Sequence, residues 1–257
     1  MKGNNTTLAY SKNYDMSPIF EIAIESLQSA IIAEKAGAKR VELCAALSEG
    51  GITPSHGMIK SVCEKSNLDV FVIIRPRGGD FLYSNEEFEI MCQDIIAAKE
   101  LGADGIVSGA LTTDGAIDLE KTRKMLELSH PLPFTFHRAF DRCNEPFVAL
   151  EQLIELGVTR ILSSGQLPSA EHGVDLLGEL VEQADGRIII MPGAGVNSKN
   201  IADIVATTGA SEFHLSGKHP ISSKMEYVRA EMDNGKGWHV MEADLEEIAL
   251  VIKKASI

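Results

Sequence analysis

Apolar residues recur along this chain in two alternating rhythms. Short runs rich in β-branched residues occupy 20–25, 40–45, 70–76, 105–110, 134–139, 160–165, 187–193 and 212–217. Each has the length and composition of a buried strand. Between them the apolar positions fall at helical spacing. Ser26 is placed to cap a helix carrying Leu27, Ala30, Ile31 and Ala33 that closes at Gly37. Thr53-Pro54 reads as the start of the next, with Met58, Ile59, Val62 and Cys63 along it. Ser84-Asn85-Glu86-Glu87 reads as a capping box for a long helix ending at Gly102. Asp118 opens a fourth helix, and further helices are expected over about 145–157, 169–184, 198–207 with Asn197 as its cap, and 243–254. Residues 218–240 read as loop, with room for a short strand near Trp238.

Strict strand–helix alternation implies an α/β fold with a parallel sheet and right-handed crossovers. Eight such units close either as an open doubly wound sheet or as a barrel. An open sheet concentrates its chemistry at one switch point. Here polar residues end nearly every strand, which favours a (β/α)8 TIM-type barrel delivering side chains to one mouth. No composition break marks a second domain. The expected organisation is a flexible N-terminal extension over 1–18 and a single barrel domain over 19–257.

The strand ends carry the candidate chemistry: Glu21 and Glu25, Glu42 and Cys44, Arg75 and Arg77, Ser108, His137 and Arg138 with Asp141, Ser163 and Ser164, His214 and Ser216. Arg75 and Arg77 flank Pro76. If the backbone stays extended, both leave on one face as a cationic fork, costly to bury unless an anion or carboxylate meets it. Glu42 is the expected partner of Arg75. Gly193 and Gly195 follow the seventh strand, and Ser216 and Gly217 follow the eighth. Small residues there expose backbone N–H groups near a helix start, as in barrels that bind phosphate with these two loops. The competing reading of the charges is a set of structural ion pairs, that of His137 and His214 a pair of satisfied core imidazoles, and that of the glycines a set of tight turns.

Composition narrows the field. A chain of 257 residues with net charge −13 is a poor fit to nucleic acid or anionic membranes. The first eighteen residues lack the apolar stretch of a signal peptide, and no apolar run is long enough to span a bilayer. A cytoplasmic location is expected. The cysteines Cys44, Cys63, Cys92 and Cys143 form no CxxC pair and are expected to be reduced.

Several long stretches resemble a known family. They are Arg40-Val41-Glu42-Leu43-Cys44, Leu47 through Pro54, Ile74 through Tyr83, Phe134 through Asp141, Met191-Pro192-Gly193 and Glu212-Phe213-His214. Together they look like the CutC copper homeostasis family, over about residues 19–230. The resemblance implies a TIM-type barrel, a cytoplasmic homodimer or higher homo-oligomer, a role in copper homeostasis and Cu(I) binding, with Cys44 as metal ligand. The family pattern also carries a cysteine in the first strand, where this chain has Ala23, and often a third glycine where it has Ala194.

Two active readings and one inert one follow. The first is a copper homeostasis protein binding Cu(I) at or near Cys44. The second is a barrel enzyme acting on a small phosphorylated or carboxylated metabolite. In it Glu42, Arg75, His137 and Asp141 form the catalytic set, with Arg77, Gly193, Gly195, Ser216 and Gly217 holding the anion. The third is a scaffold whose ion pairs are purely structural.

Overall fold

The computed structural model describes residues 18–227, 229, 231 and 238–255. The expected N-terminal extension therefore lies, apart from Pro18, outside the described residues. The eight apolar runs form parallel strands β1 (Ile19–Ile24), β2 (Arg40–Leu43), β3 (Asp69–Ile73), β4 (Gly105–Ser108), β5 (Phe134–Phe136), β6 (Arg160–Ser163), β7 (Ile189–Pro192) and β8 (Glu212–Leu215). Between them run α1 (Leu27–Lys35), α2 (His56–Lys65), α3 (Asn85–Glu100), α4 (Leu119–Ser129), α5 (Pro146–Leu156), α6 (Val174–Ala184) and α7 (Ile201–Thr208). Strands β1 to β7 pair in sequence order, and β8 pairs with β1. β7 lies alongside β8, so the sheet wraps into a nearly closed TIM-type barrel.

Side chains alternate across each strand, which gives the barrel two interiors. Ile22, Ile24, Val41, Leu43, Val70, Val72, Ile106, Phe134, Phe136, Ile161, Ile190 and Phe213 face outward and pack with the helices in one continuous core. Each such side chain contributes about 1.5–3 kcal/mol on burial. The inward set is different. Its apolar cluster among the described residues is Cys44, Phe71, Ile73 and Val107, with Leu47 against it. The remaining inward positions include Glu21, Arg40, Glu42, Thr135, Arg160, Glu212 and His214, all buried. Barrels of this size are ordinarily filled by branched apolar residues. Gly105 opposes Phe71 in register, and a Cβ there would come within 2.5 Å of the Phe71 ring. The glycine is what admits that ring to the barrel interior.

Several helix starts differ from the sequence expectation. Ser26, Asp118 and the Ser84–Glu87 capping box are all in place. The second helix instead takes Ser55 as its cap. Thr53 is held by the segment just after the third strand: its Oγ1 accepts from Arg75 N at 2.9 Å, and its own N–H donates to Arg75 O at 2.9 Å. The sixth helix starts at Val174, because residues 169–173 turn so that Gly173 crosses Gly165. A Cβ on Gly173 would meet Ser164 O at 2.0 Å. Asn197 accepts from Lys199 N in a turn, and α7 begins only after Asn200. The stretch after β8 is not all loop. β9 (Lys218–Ser222) and β10 (His239–Ala243) pair antiparallel, and β10 leads into α8 (Leu245–Ala255), whose first turn donates to Asp244 Oδ1.

Candidate active site

The barrel floor is an ion lattice. Arg40 Nε donates to Glu21 Oε2 at 2.6 Å, and its Nη2 donates to Glu212. Arg160 meets the same Glu212, Nε to Oε2 at 3.0 Å, and also donates to Thr135 Oγ1 at 3.3 Å. Both guanidinium groups lie over the Phe71 ring, at 5.0 and 5.1 Å from its centroid. Two carboxylates and two guanidinium groups balance in charge, as buried ions must.

Above the lattice stands a relay. Glu21 Oε1 lies 2.9 Å from His214 Nδ1, and His214 Nε2 lies 3.6 Å from Glu42 Oε2. Cys44 Sγ–H in turn donates to Glu42 Oε2 at 3.3 Å. Burial alone would raise Glu21, but the His214 hydrogen bond and the Arg40 charge hold it at about 2. Burial opposes a charged His214, yet the Glu21 hydrogen bond and the Glu42 and Glu21 charges win and raise its pKa. Glu42 is raised by burial first, with Glu21 adding and His214 opposing. Both shifts favour the protonated form, of His214 and of Glu42, while Glu21 stays ionised at neutral pH. Glu21 orients the imidazole, and Glu42 is the carboxylate that can take or give a proton.

The expected fork does not form. β3 ends at Ile73, and Arg75 turns back into the protein. Its Nη1 donates to Glu49 O at 2.9 Å and Gly51 O at 3.0 Å, and its Nη2 donates to Gly79 O at 2.9 Å. Arg77 instead lies half exposed, paired with Glu87 at 2.6 Å and Asp80 at 3.0 Å. Nor is Glu42 the partner of Arg75. The stagger of the barrel brings Glu42 to His214 and leaves the guanidinium among carbonyls.

His137 is buried against Phe81, ring centroids 4.9 Å apart. Burial, then the Arg75 charge, push its pKa down to about 3. Asp141 is saturated. It accepts from Arg138 Nε, Ser163 Oγ, Ser164 N and Oγ, and Gln166 N. That pattern pins the loop after β6 and leaves the carboxylate little capacity for proton transfer.

At the β7 end, Gly193 N–H is taken by Ser163 O, and a Cβ there would strike Leu162 at 2.4 Å. Ala194 sits at φ 73 and Gly195 at φ 76, so the alanine adopts the left-handed conformation that glycine suits better. Gly195 O accepts from the Asn197 and Asn200 side chains. Across the mouth, Gly217 O accepts from Asp244 N. Ser216 lines a small cleft with Ala23, Glu25, Leu47 and Lys218. Gly193 borders the relay itself, since an added Cβ there would lie 3.2 Å from His214 Cβ.

Sequence reading chose Glu42, Arg75, His137 and Asp141 but passed over Arg40, Arg160, Glu212, Phe71 and Phe81 as site-builders. Parity was the available signal. Glu21, Arg40, Glu42, Arg160, Glu212 and His214 all occupy the inward phase of their strands.

Cu(I) prefers thiolate ligands. Cys44 is buried, and its thiol is pushed well above its ordinary pKa by burial and then by Glu42. Its backbone N–H donates to Ile24 O, and Ala23, the residue before, pairs in register with Glu42. Among the described residues no group of three or more His, Cys, Asp or Glu side chains is arranged to hold a metal. The donor set around Cys44 does not fit a Cu(I) site.

The CutC family model matches residues 18–219. A family protein CutC of Parabacteroides distasonis is 50% identical over 243 residues, covering 92% of this chain and all of that one. A human protein named copper homeostasis protein cutC homolog is 46% identical over 228 residues, covering 89% of this chain and 84% of its own. A solved structure of CutC from Streptococcus agalactiae superposes with a TM-score of 0.74 at 38% identity, over 77% of this chain and 98% of that one. The chain belongs to the CutC family.

Proposed function

We propose that the copper homeostasis role named for its relatives is exercised here, in the cytoplasm, through acid–base chemistry on a small carboxylated or phosphorylated molecule at the barrel mouth. One observation carries this reading: the buried relay from Glu21 through His214 to Glu42 fills a barrel interior that apolar side chains would fill more stably. Glu42 is the proton-transfer group, His214 its partner, and Glu21 the positioning carboxylate. Arg75 supplies positive charge at the mouth. Incubating the protein in D2O with a panel of small carboxylates and phosphates tests it. Deuterium should enter a C–H bond of one class, and Glu42→Gln should slow that exchange by about 100-fold or more. Exchange unaffected by Glu42→Gln would overturn the assignment.

A second reading, Cu(I) held at Cys44, is favoured by the relatives' names. Against it stand a single protonated thiol and Ala23. Anaerobic chelator competition with the natural chain and Cys44→Ser decides it, since a real site loses its affinity with the thiol. Homo-oligomer formation belongs to the same proposal. It is supported by exposed Met225, Tyr227, Trp238, Val240 and Met241 around the β9–β10 hairpin, and sedimentation tests it.

A further inference from the structure

Among the described residues four buried side-chain polar atoms have no protein partner, and three of them gather in one place: Arg75 Nε, Tyr83 Oη and His137 Nε2. Phe81 joins them. Its ring centroid is 4.8 Å from Arg75 Cζ and 4.9 Å from the His137 ring. Tyr83 Oη sits beside the same guanidinium without completing a hydrogen bond to it. Buried donors without acceptors are rare and need a reason.

The direction of the His137 donor follows from its other nitrogen. Nδ1 accepts from Ala139 N at 3.2 Å, so the neutral ring carries its proton on Nε2. With a pKa near 3 the ring stays neutral at any physiological pH. It is then a fixed N–H donor and does not shuttle protons. Arg75 adds a buried positive charge whose protein partners are all carbonyls. No carboxylate among the described residues neutralises it, and such a cation calls for an anion.

Open space adjoins this ring. Phe81 also walls a surface cavity of about 560 Å³ with Gly79, Asp80, Leu82, Leu111, Thr112 and Arg142. The same ring thus lies beside the Arg75 and His137 side chains and borders that cavity.

We propose that this cluster is a binding site for a small carboxylate-bearing molecule entering by the Phe81 cavity, its carboxylate accepting from His137 Nε2–H and Arg75 Nε–H. The inference rests on reading the mouth as an anion site, and it gives His137 recognition in place of proton transfer. Two N–H donors beside one flat aromatic wall suit a planar carboxylate better than a tetrahedral phosphate, which needs more donors.

The test uses the full chain labelled with ¹⁵N-histidine, titrated with benzoate, acetate and inorganic phosphate while the ring nitrogens are followed by NMR. His137 should show the Nε2–H tautomer unchanged through neutral pH. Benzoate should shift that resonance saturably. His137→Phe, which keeps a ring and removes the donor, should weaken benzoate binding about tenfold or more by calorimetry. Arg75→Gln should do the same, but it also loosens three loop contacts, so His137→Phe is the deciding variant. A Nδ1–H tautomer, a response to phosphate alone, binding that leaves His137 unmoved, or no binding of any probe would overturn the site. Deuterium exchange that needs Glu42 but tolerates His137→Phe, with no benzoate response, would remove this site and leave the acid–base reading standing.

Discussion

Arg40 stands buried between Glu21 and Glu212. Arg40→Leu should therefore destabilise the protein by about 3–5 kcal/mol, the cost of leaving buried carboxylates without their cation. Urea unfolding would measure it. Arg40→Lys should recover only part, because a single ammonium cannot reproduce the two-sided guanidinium contact. Ala194 is the opposite case. It holds φ 73 with a Cβ that disfavours that region, so Ala194→Gly should stabilise the fold by about 0.5–1 kcal/mol, or leave it unchanged where chain entropy offsets the gain. A loss of stability there would mean the methyl group packs usefully.

At the level of elements, α3 rests on a capping box read in full from four residues. Ser84→Ala should cost about 1 kcal/mol of stability by thermal unfolding. Local signals of that kind were legible because their physics is local. Thr53-Pro54 carries the same kind of signal and misleads, since the Thr53 hydroxyl is engaged by the Arg75 backbone, twenty-two residues on and just beyond β3. The late start of α6 has its cause in the Gly165–Gly173 crossing, a contact that periodicity does not express. Gly173→Ala, with a Cβ 2.0 Å from a backbone oxygen, should destabilise far more than an ordinary loop substitution. Of the β9–β10 pair, the strand near Trp238 is legible, while β9 is not, because Lys218, His219 and Pro220 give it little apolar alternation. For the site, the inward parity of the charged residues was readable and their pairing was not. Which carboxylate meets which cation depends on the barrel's stagger, and so Glu42 was assigned to Arg75 when His214 holds it.

For the whole molecule, the buried titratable groups set a pH profile. Glu21 falls from an ordinary 4.5 to about 2 on folding, so its stabilisation is present above pH 4.5 and is lost as pH falls toward 2. His137 falls from 6.5 to about 3. The unfolded chain therefore binds its proton first, and stability drops as pH falls below 6.5. His214 runs the other way: its folded pKa is raised, so its contribution is full below 6.5 and is lost as pH rises through the folded value. Melting temperature should fall progressively on the acid side, and His137→Phe should flatten the portion nearest pH 6. An acid limb identical in that variant would contradict the burial argument.

Arg75 has one more consequence. Its guanidinium grips the carbonyl of Gly51, and Gly51 packs so closely on Cys44 that an added Cβ would lie 3.3 Å from the sulfur. The arginine and the thiol thus share a single wall of backbone. An occupant of one that displaced this wall would change the affinity of the other for its own occupant, and linkage would make the reverse change the same factor, in whichever order they arrived.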